Sequence, residues 1–87
     1  MAIYQIKWKT SALRELKKID KKMIPRILSL VESLEVQPFP SGIRKLCGTK
    51  NTYRIRIGDY RIVYDVHKSI ITIEIIRVRH RKDVYRV

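Results

Sequence analysis

The fold is decided by residues 53–66, which read YRIRIGDYRIVYDV. Apolar or aromatic residues alternate with polar ones on both sides of Gly58-Asp59, which is the pattern of two half-buried strands joined by a turn. A glycine at the first of two central positions is typical of a two-residue hairpin turn. The stretch therefore predicts an antiparallel hairpin with strands over 52–57 and 60–66.

The register of this hairpin separates two faces. The turn pairs Ile57 with Tyr60, and the apolar side chains of both strands then share one face, which we expect to pack on helices. Three arginines lie on the other face. Because like charges directly opposite each other destabilise a hairpin, this arrangement indicates a function, and arginine favours phosphate binding. A solvated sheet face is the structural alternative. The residues predicted for that open face are Arg54, Arg56, Arg61, Val63 and Asp65.

Two amphipathic helices are predicted before the hairpin. Thr10 or Ser11 can cap the first, and Asp20 can cap the second, which should start near residues 21–24 because Pro25 fits only in a first helical turn. The first helix has its apolar positions at Ala12, Leu13, Leu16 and Ile19. The second has an i, i+3/i+4, i+7 stripe made of Ile24, Ile27, Leu28, Val31 and Leu34.

The remaining elements complete an α+β domain. A short strand over 3–8 precedes the helices, and a last strand over 70–79 follows a turn at Lys68-Ser69. We therefore expect a single domain over 1–87 of order β-α-α-β-β-β. Its two N-terminal helices pack on one face of a mainly antiparallel sheet, and the other face stays open.

Charge and composition narrow the class of partner. Twenty Lys and Arg against eight Asp and Glu give a formal net charge of +12, which favours a polyanion, although a basic surface kept for solubility is the alternative. Cys47 is expected to be a small buried residue and allows no internal disulfide. Cys47, His67 and His80 have no familiar zinc spacing, so neither metal nor cofactor is expected. Without a signal peptide or membrane span, we expect a cytoplasmic protein.

The C-terminal segment adds basic residues to the last strand, since residues 77–87 read RVRHRKDVYRV. An alternation that places Ile73 and Ile75 in the core would also turn Arg77, Arg79 and Arg81 inward. Either the strand has left the helices by then, or a bulge near residue 76 switches its face. By strict alternation, His80 falls on the open face.

RNA cleavage is the chemistry that these residues could support. It needs no metal when the 2′-hydroxyl is the nucleophile, but the phosphate has to be held and two protons have to move. Arginines supply the phosphate contacts. His80 and Tyr85 are the proton-transfer candidates, and Tyr85 could also stack on a base. Asp65 and Glu74 could equally be counter-ions, and His67 is treated as a bystander.

The stretches YRIRIGDYRIVYDV and IEIIRVRHRKDVYR resemble the RelE toxins of the RelE/ParE superfamily. The GDYRIVY hairpin is common across that superfamily, whereas RHRKDVYR is more specific to its RNA-cleaving branch. The resemblance implies the RelE-like fold and the toxin of a type II toxin–antitoxin system. It also implies a metal-independent, ribosome-dependent endoribonuclease that cuts mRNA in the A site by 2′-hydroxyl attack and inhibits translation. Its implied partners are mRNA on the ribosome and a RelB-like antitoxin in a hetero-oligomer.

The resemblance also assigns roles to residues. The phosphate-binding arginines of the family correspond to Arg61 and Arg81, and its C-terminal tyrosine corresponds to Tyr85. Some members carry lysines where this chain has Arg54 and Arg56, and arginine is a poor proton donor. The catalytic set is therefore predicted to be Arg61, Arg81, Tyr85 and His80. The further RNA-binding residues are predicted to be Arg54, Arg56, Arg79 and Lys82.

Two other functions remain open on the sequence. A ParE-like inhibitor of DNA gyrase would share the fold, although the basic, tyrosine-bearing C-terminus argues against it. A non-catalytic RNA- or ribosome-binding module would use the arginines only as an electrostatic surface.

Overall fold

A computed structural model describes residues 3–84. The strands are β1 (Gln5–Trp8), β2 (Arg44–Lys45), β3 (Thr52–Ile57), β4 (Tyr60–His67) and β5 (Thr72–His80). The helices are α1 (Thr10–Lys18), α2 (Ile24–Ser33) and α3 (Arg81–Val84). No helix in this part of the chain is long and apolar enough to cross a membrane.

All five strands form one sheet in the order β1-β5-β4-β3-β2. β1 runs parallel to β5, and the other neighbours are antiparallel. The predicted class, with two helices on one face of a mainly antiparallel sheet, is confirmed. Sequence reasoning missed β2, because two residues are too few to show alternation. It also read residues 81–84 as part of a tail, whereas they form α3.

The hairpin has the predicted register. Ile57 pairs with Tyr60, and Ile55 pairs with Ile62. Gly58 has φ 58°, while Asp59 has no positive φ, as expected for a turn with glycine at its first central position. The apolar face of β3 and β4 therefore faces the helices, and the arginine face is left open.

The core lies between that sheet face and the two long helices. Each large apolar side chain that it buries contributes about 1.5–3 kcal/mol. Leu13 and Leu28 were predicted to face this core, but they are 40% and 44% exposed, because each helix packs on a single sheet and no described element covers its outer side. The buried apolar residues are Ala12, Leu16, Ile27, Val31, Leu34, Ile55, Ile62, Tyr64, Val66, Ile73, Ile75 and Val78.

The predicted caps of α1 and α2 were wrong in detail. Thr10 lies inside α1, whose capping position is Lys9 without a side-chain cap. The Asp20 carboxylate accepts a hydrogen bond from the Lys22 N–H at 3.0 Å, so Asp20 stabilises the turn before α2 and does not cap the helix. Pro25 does lie in the first turn of α2, as predicted. Cys47 is exposed rather than buried.

The connection between β4 and β5 is longer than the predicted Lys68-Ser69 turn. Lys68–Ile70 form one turn of 3-10 helix. Ile71 follows with φ 49°, a left-handed conformation that is unusual for a β-branched residue. β5 therefore begins at Thr72.

A β-bulge at Ile76 switches the faces of β5. Tyr64 pairs with Ile75 while Val63 pairs with Arg77, so Ile76 is an extra residue on β5. As a result Ile75 and Val78 are both buried, and Arg77 lies on the face opposite Val78. Of the two arrangements that the sequence left open, the bulge is the one found.

α1 protects the edge of β5 that β1 leaves uncovered. β1 ends at Trp8, so the second half of β5 has no strand on that side. Glu15 takes that place: its carboxylate accepts hydrogen bonds from the Val78 N–H at 3.0 Å and from Arg79 Nε at 2.7 Å. Arg77 Nη1 lies 3.8 Å from the same carboxylate. A helix side chain thus satisfies an edge donor and fixes two arginines.

Candidate anion-binding site

Four arginines surround a concavity on the open face of the sheet, which we call the arginine concavity. They form two cross-strand pairs that place like charges side by side: Arg44 pairs with Arg54, and Arg56 pairs with Arg61. The space between them has a volume of about 410 Å³. The lining residues are Gly42, Arg44, Arg54, Arg56 and Arg61.

No acidic residue is among the described residues that line the arginine concavity. Among the side chains of residues 3–82, no carboxylate oxygen lies within 4.0 Å of a guanidinium nitrogen of Arg44, Arg54 or Arg56. Arg56 Nε donates to the Gly58 carbonyl at 3.0 Å, which aims its side chain along the turn. Guanidinium groups that converge in this way are suited to an anion that accepts several hydrogen bonds, such as phosphate.

Three of these arginines were predicted to share the open face, and the structure brings them together. Arg44 was missed, because it lies in a segment that the sequence marks as loop. Its position depends on β2 pairing with the outer edge of β3, which follows from tertiary structure. A local signal is Gly42, two residues before Arg44, which has a φ of 89° as glycines in turns often do.

Arg79 lies beside the concavity rather than in it. Its Cα pairs with that of Arg61, so the strand register brings it next to the site. The guanidinium, however, bonds Glu15 at the edge of β5. Arg79 was predicted to bind RNA, and the structure gives it a structural partner as well.

The start of α3 is attached to the hairpin turn. The Arg81 N–H donates to the Asp59 carbonyl at 2.7 Å, and Arg81 Nε lies 3.9 Å from Asp59 Oδ1. Both side chains are more than half exposed. Arg81 therefore lies at the turn, at the same end of the sheet as Arg56, and Lys82 beside it is exposed. Tyr85, the predicted nucleophile activator, lies outside the described residues.

His80 does not face the arginine concavity. Because of the bulge it pairs with Tyr60 on the helix side, so its predicted place on the open face was wrong. The two rings meet edge to face with centroids 5.3 Å apart. His80 lines a cavity of about 430 Å³ together with Glu15, Lys18 and Ile19. Its Nδ1 accepts the Lys82 N–H at 3.2 Å, so the ring supports the first turn of α3.

Comparison with known proteins shows the family to which this chain belongs. Residues 6–85 match the family described as the ParE toxin of the type II toxin–antitoxin system parDE. The chain belongs to this family of toxins. The toxin RelG of Mycobacterium tuberculosis is 35% identical to it over 91 residues, which cover 95% of this chain and 97% of RelG.

Solved structures agree with the fold of the toxin. The archaeal RelE–RelB complex of Pyrococcus horikoshii contains a chain that is 31% identical, with a TM-score of 0.81 over 91% of the toxin and 96% of that chain. The toxin–antitoxin complex RelBE2 of M. tuberculosis gives 26% identity and a TM-score of 0.81, over 92% of the toxin and 100% of that chain. The protein is therefore a RelE-like toxin of a type II toxin–antitoxin system.

The chemistry available in the arginine concavity of this toxin is binding and charge stabilisation. The charged groups of its described lining are all guanidinium groups, which hold their protons at any physiological pH. They can bind the oxygens of a phosphate and neutralise charge that develops on them. They do not exchange protons, so these groups by themselves supply no acid–base catalysis.

Proposed function

We propose that this toxin is a metal-independent endoribonuclease that cuts mRNA in the ribosomal A site and thereby inhibits translation. The observation that carries the proposal is the arginine concavity, which gathers four cations on an open sheet face with no acidic residue in its described lining. RNA is the polyanion that offers both a phosphate for these groups and an internal nucleophile.

In the proposed reaction the 2′-hydroxyl oxygen attacks the adjacent phosphorus while the bond from phosphorus to the 5′-oxygen breaks. The proton of the 2′-hydroxyl leaves to a base, and the departing 5′-oxygen gains a proton. The products are a 2′,3′-cyclic phosphate and a 5′-hydroxyl end. Arg54, Arg56 and Arg61 would hold the non-bridging oxygens of the scissile phosphate and of the phosphates next to it, and Arg81 at the hairpin turn would hold a further phosphate. Removing one such donor is expected to slow cleavage about 10²–10³-fold.

Proton transfer is assigned to Tyr85, with His80 in a supporting role. His80 lies on the helix side and accepts a hydrogen bond from the backbone of α3, the segment that immediately precedes Tyr85. We propose that His80 is a positioning residue, which acts through α3 rather than on the RNA. Lys82 and Arg79 would add phosphate contacts along the bound strand.

A RelB-like antitoxin is the proposed partner, with which the toxin forms a hetero-oligomer in the cytoplasm. The similar chains from P. horikoshii and M. tuberculosis are in complexes with their antitoxins. Apolar side chains on the helices of this toxin are exposed, including Leu13 and Leu28, and a partner helix could cover them.

Primer extension on mRNA tests the proposal. Purified toxin is added to stalled ribosome complexes with a defined A-site codon, and new 5′ ends are mapped. We expect cuts within that codon, only with ribosomes, and 5′-hydroxyl ends that polynucleotide kinase can label. Intact mRNA would refute the activity.

Variants test the assigned roles in the same assay. Tyr85→Phe should lower the single-turnover cleavage rate much more than ribosome binding, and His80→Ala should do so to a smaller extent. Lys17→Gln, which removes an exposed charge from α1, is the control. If Tyr85→Phe and His80→Ala both cut at the wild-type rate, the assignment is wrong.

Inhibition of DNA gyrase is the second candidate, because the matching family is described as ParE toxins. A gyrase poison would leave mRNA intact and trap gyrase on cleaved DNA. Adding the toxin to gyrase and supercoiled plasmid distinguishes this activity from RNA cleavage. A toxin that stalls translation without new 5′-hydroxyl ends would be a non-catalytic ribosome-binding module.

A further inference from the structure

A second group of functional side chains lies at the other end of the open face, away from the hairpin turn. Asp65 and His67 lie two residues apart on β4, so they point to the same side of the sheet. Glu74 on β5 is the direct cross-strand partner of Asp65. One ligand atom from each of the three lies within 4.8 Å of the other two, and all three residues are partly buried.

The two carboxylates of this group form no ion pair with a lysine or arginine in the described part of the chain. Like charges directly opposite on a sheet repel each other, so the Asp65–Glu74 pair is unfavourable unless a cation compensates it. The chain has 20 Lys and Arg, yet among residues 3–84 none has a nitrogen within 4.0 Å of either carboxylate. Lys7, the neighbour of Glu74 on β1, is exposed and forms no such ion pair.

The donor set is that of a transition-metal site. One imidazole nitrogen and two carboxylate oxygens bind Zn²⁺ at about 2.0–2.2 Å, which sets them within about 3–4 Å of each other. The present separations, all within 4.8 Å, lie close to that range. Thr52 Oγ1 donates to Asp65 Oδ1 at 2.5 Å, which fixes the orientation of this carboxylate as second-layer hydrogen bonds do in metal sites.

We propose that Asp65, His67 and Glu74 form a binding site for one divalent first-row transition-metal ion, with Zn²⁺ preferred over Mg²⁺. Three protein ligands leave one position for water or another oxygen ligand. The ion would neutralise the acidic end of an otherwise basic sheet face and cross-link β4 to β5. The site lies four residues along β4 from Arg61, about 13 Å away, and the proposal does not depend on the cleavage activity.

The sequence did not predict this site, because the zinc-ligand spacing was considered only for Cys47, His67 and His80. Glu74 joins the group only through the register of β5, and that register depends on the 3-10 turn at Lys68–Ile70. No local spacing rule links Glu74 to His67.

Calorimetric titration of the full-length toxin without a histidine tag tests the proposal, with Zn²⁺ as the probe and Mg²⁺ for comparison. We expect one Zn²⁺ per chain and a melting temperature that rises with the logarithm of Zn²⁺ concentration. Asp65→Asn, His67→Gln and Glu74→Gln should each weaken binding more than about tenfold, and Thr52→Val should weaken it by about tenfold. Glu32→Gln, Cys47→Ser and His80→Ala are the matched controls and should bind like wild type.

Wild-type protein provides a readout that does not rely on variant folding. Zn²⁺ should shift and broaden the imidazole NMR signals of His67 and leave those of His80 unchanged. Co²⁺ should give visible absorption bands that Zn²⁺ removes. A dissociation constant weaker than about 1 mM would overturn the proposal, and so would shifts at His80 or binding lost with Cys47→Ser.

Discussion

The arginine concavity predicts a specific dependence of RNA affinity on salt. Four arginines line it, so it can neutralise up to four phosphates of a single strand. Each phosphate neutralised on a single strand adds about −0.7 to the slope of log affinity against log salt concentration. The expected slope for the concavity is therefore about −2.8, which is a loss of about 50-fold in affinity between about 50 mM and about 200 mM salt.

Two substitutions at Arg54 separate charge from hydrogen-bond geometry. Arg54→Gln removes one phosphate contact, so the slope should fall to about −2.1 and the loss over the same salt range to about 18-fold. Arg54→Lys keeps the charge but loses the planar fork, so the slope should stay near the wild-type value. Both variants should bind more weakly at low salt, by about tenfold for Arg54→Gln, since a charge-assisted hydrogen bond contributes about 1.5 kcal/mol.

Fluorescence anisotropy with a labelled oligonucleotide measures these slopes. The oligonucleotide should carry 2′-O-methyl groups, so that binding is observed without cleavage. Lys17→Gln is the matched control, because it removes the same charge from the exposed side of α1, and its slope should equal that of wild type. If Lys17→Gln and Arg54→Gln reduce the slope equally, RNA binds a diffuse basic surface and the concavity is not the site.

Three further predictions concern stability and pH. Glu15→Ala should destabilise the fold by about 2 kcal/mol in urea unfolding, because the edge N–H of Val78 loses a charged acceptor. Glu15→Gln should lose less stability and should bind RNA more tightly, because Arg79 is released from its ion pair. Weaker RNA binding by Glu15→Gln would contradict this role of Glu15. Gly58→Ala should lower the free energy of unfolding by about 1–2 kcal/mol in the same assay, because Gly58 has a left-handed φ of 58°. An unchanged urea midpoint would contradict this, since it would mean that the turn adopts another conformation without loss. Burial, with a smaller effect of the neighbouring Tyr53, raises the pKa of Tyr64 to about 12. The folded state therefore holds this proton more tightly than the unfolded chain, and about 2–3 kcal/mol of stability should be lost as the pH rises from about 10 to about 12. Tyr64→Phe should remove that loss, and an identical alkaline transition in the variant would contradict the assignment.

Local sequence patterns determine the parts of this fold that were predicted correctly. The hairpin register follows from a two-residue turn and strict alternation, and both are encoded within residues 53–66. The start of α2 follows from Pro25, because the ring is tolerated only in a first helical turn. In each case the residues that determine the structure are neighbours in sequence.

The missing parts depend on contacts between distant segments. Arg44 enters the site through an edge strand of two residues, and no periodicity can indicate a strand that short. Thr10 and Asp20 have side chains suited to helix capping, yet Lys9 and Met23 occupy the capping positions. Tertiary packing determines where those helices begin, so propensity alone placed the caps wrongly.

The bulge at Ile76 determines how catalytic roles divide between the two faces. Without the bulge, Arg77 and Arg79 would point into an apolar core. The charges in the segment IIRVRH therefore indicate that the strand changes face, but they do not show at which residue. The same change moves His80 to the helix side, away from the arginine concavity. If the toxin cleaves RNA at the arginine concavity, a proton-transferring group other than His80 has to reach that end of the open face. Tyr85 is our candidate, because the segment that leads to it is fixed to the hairpin turn by the Arg81 N–H, which donates to the Asp59 carbonyl.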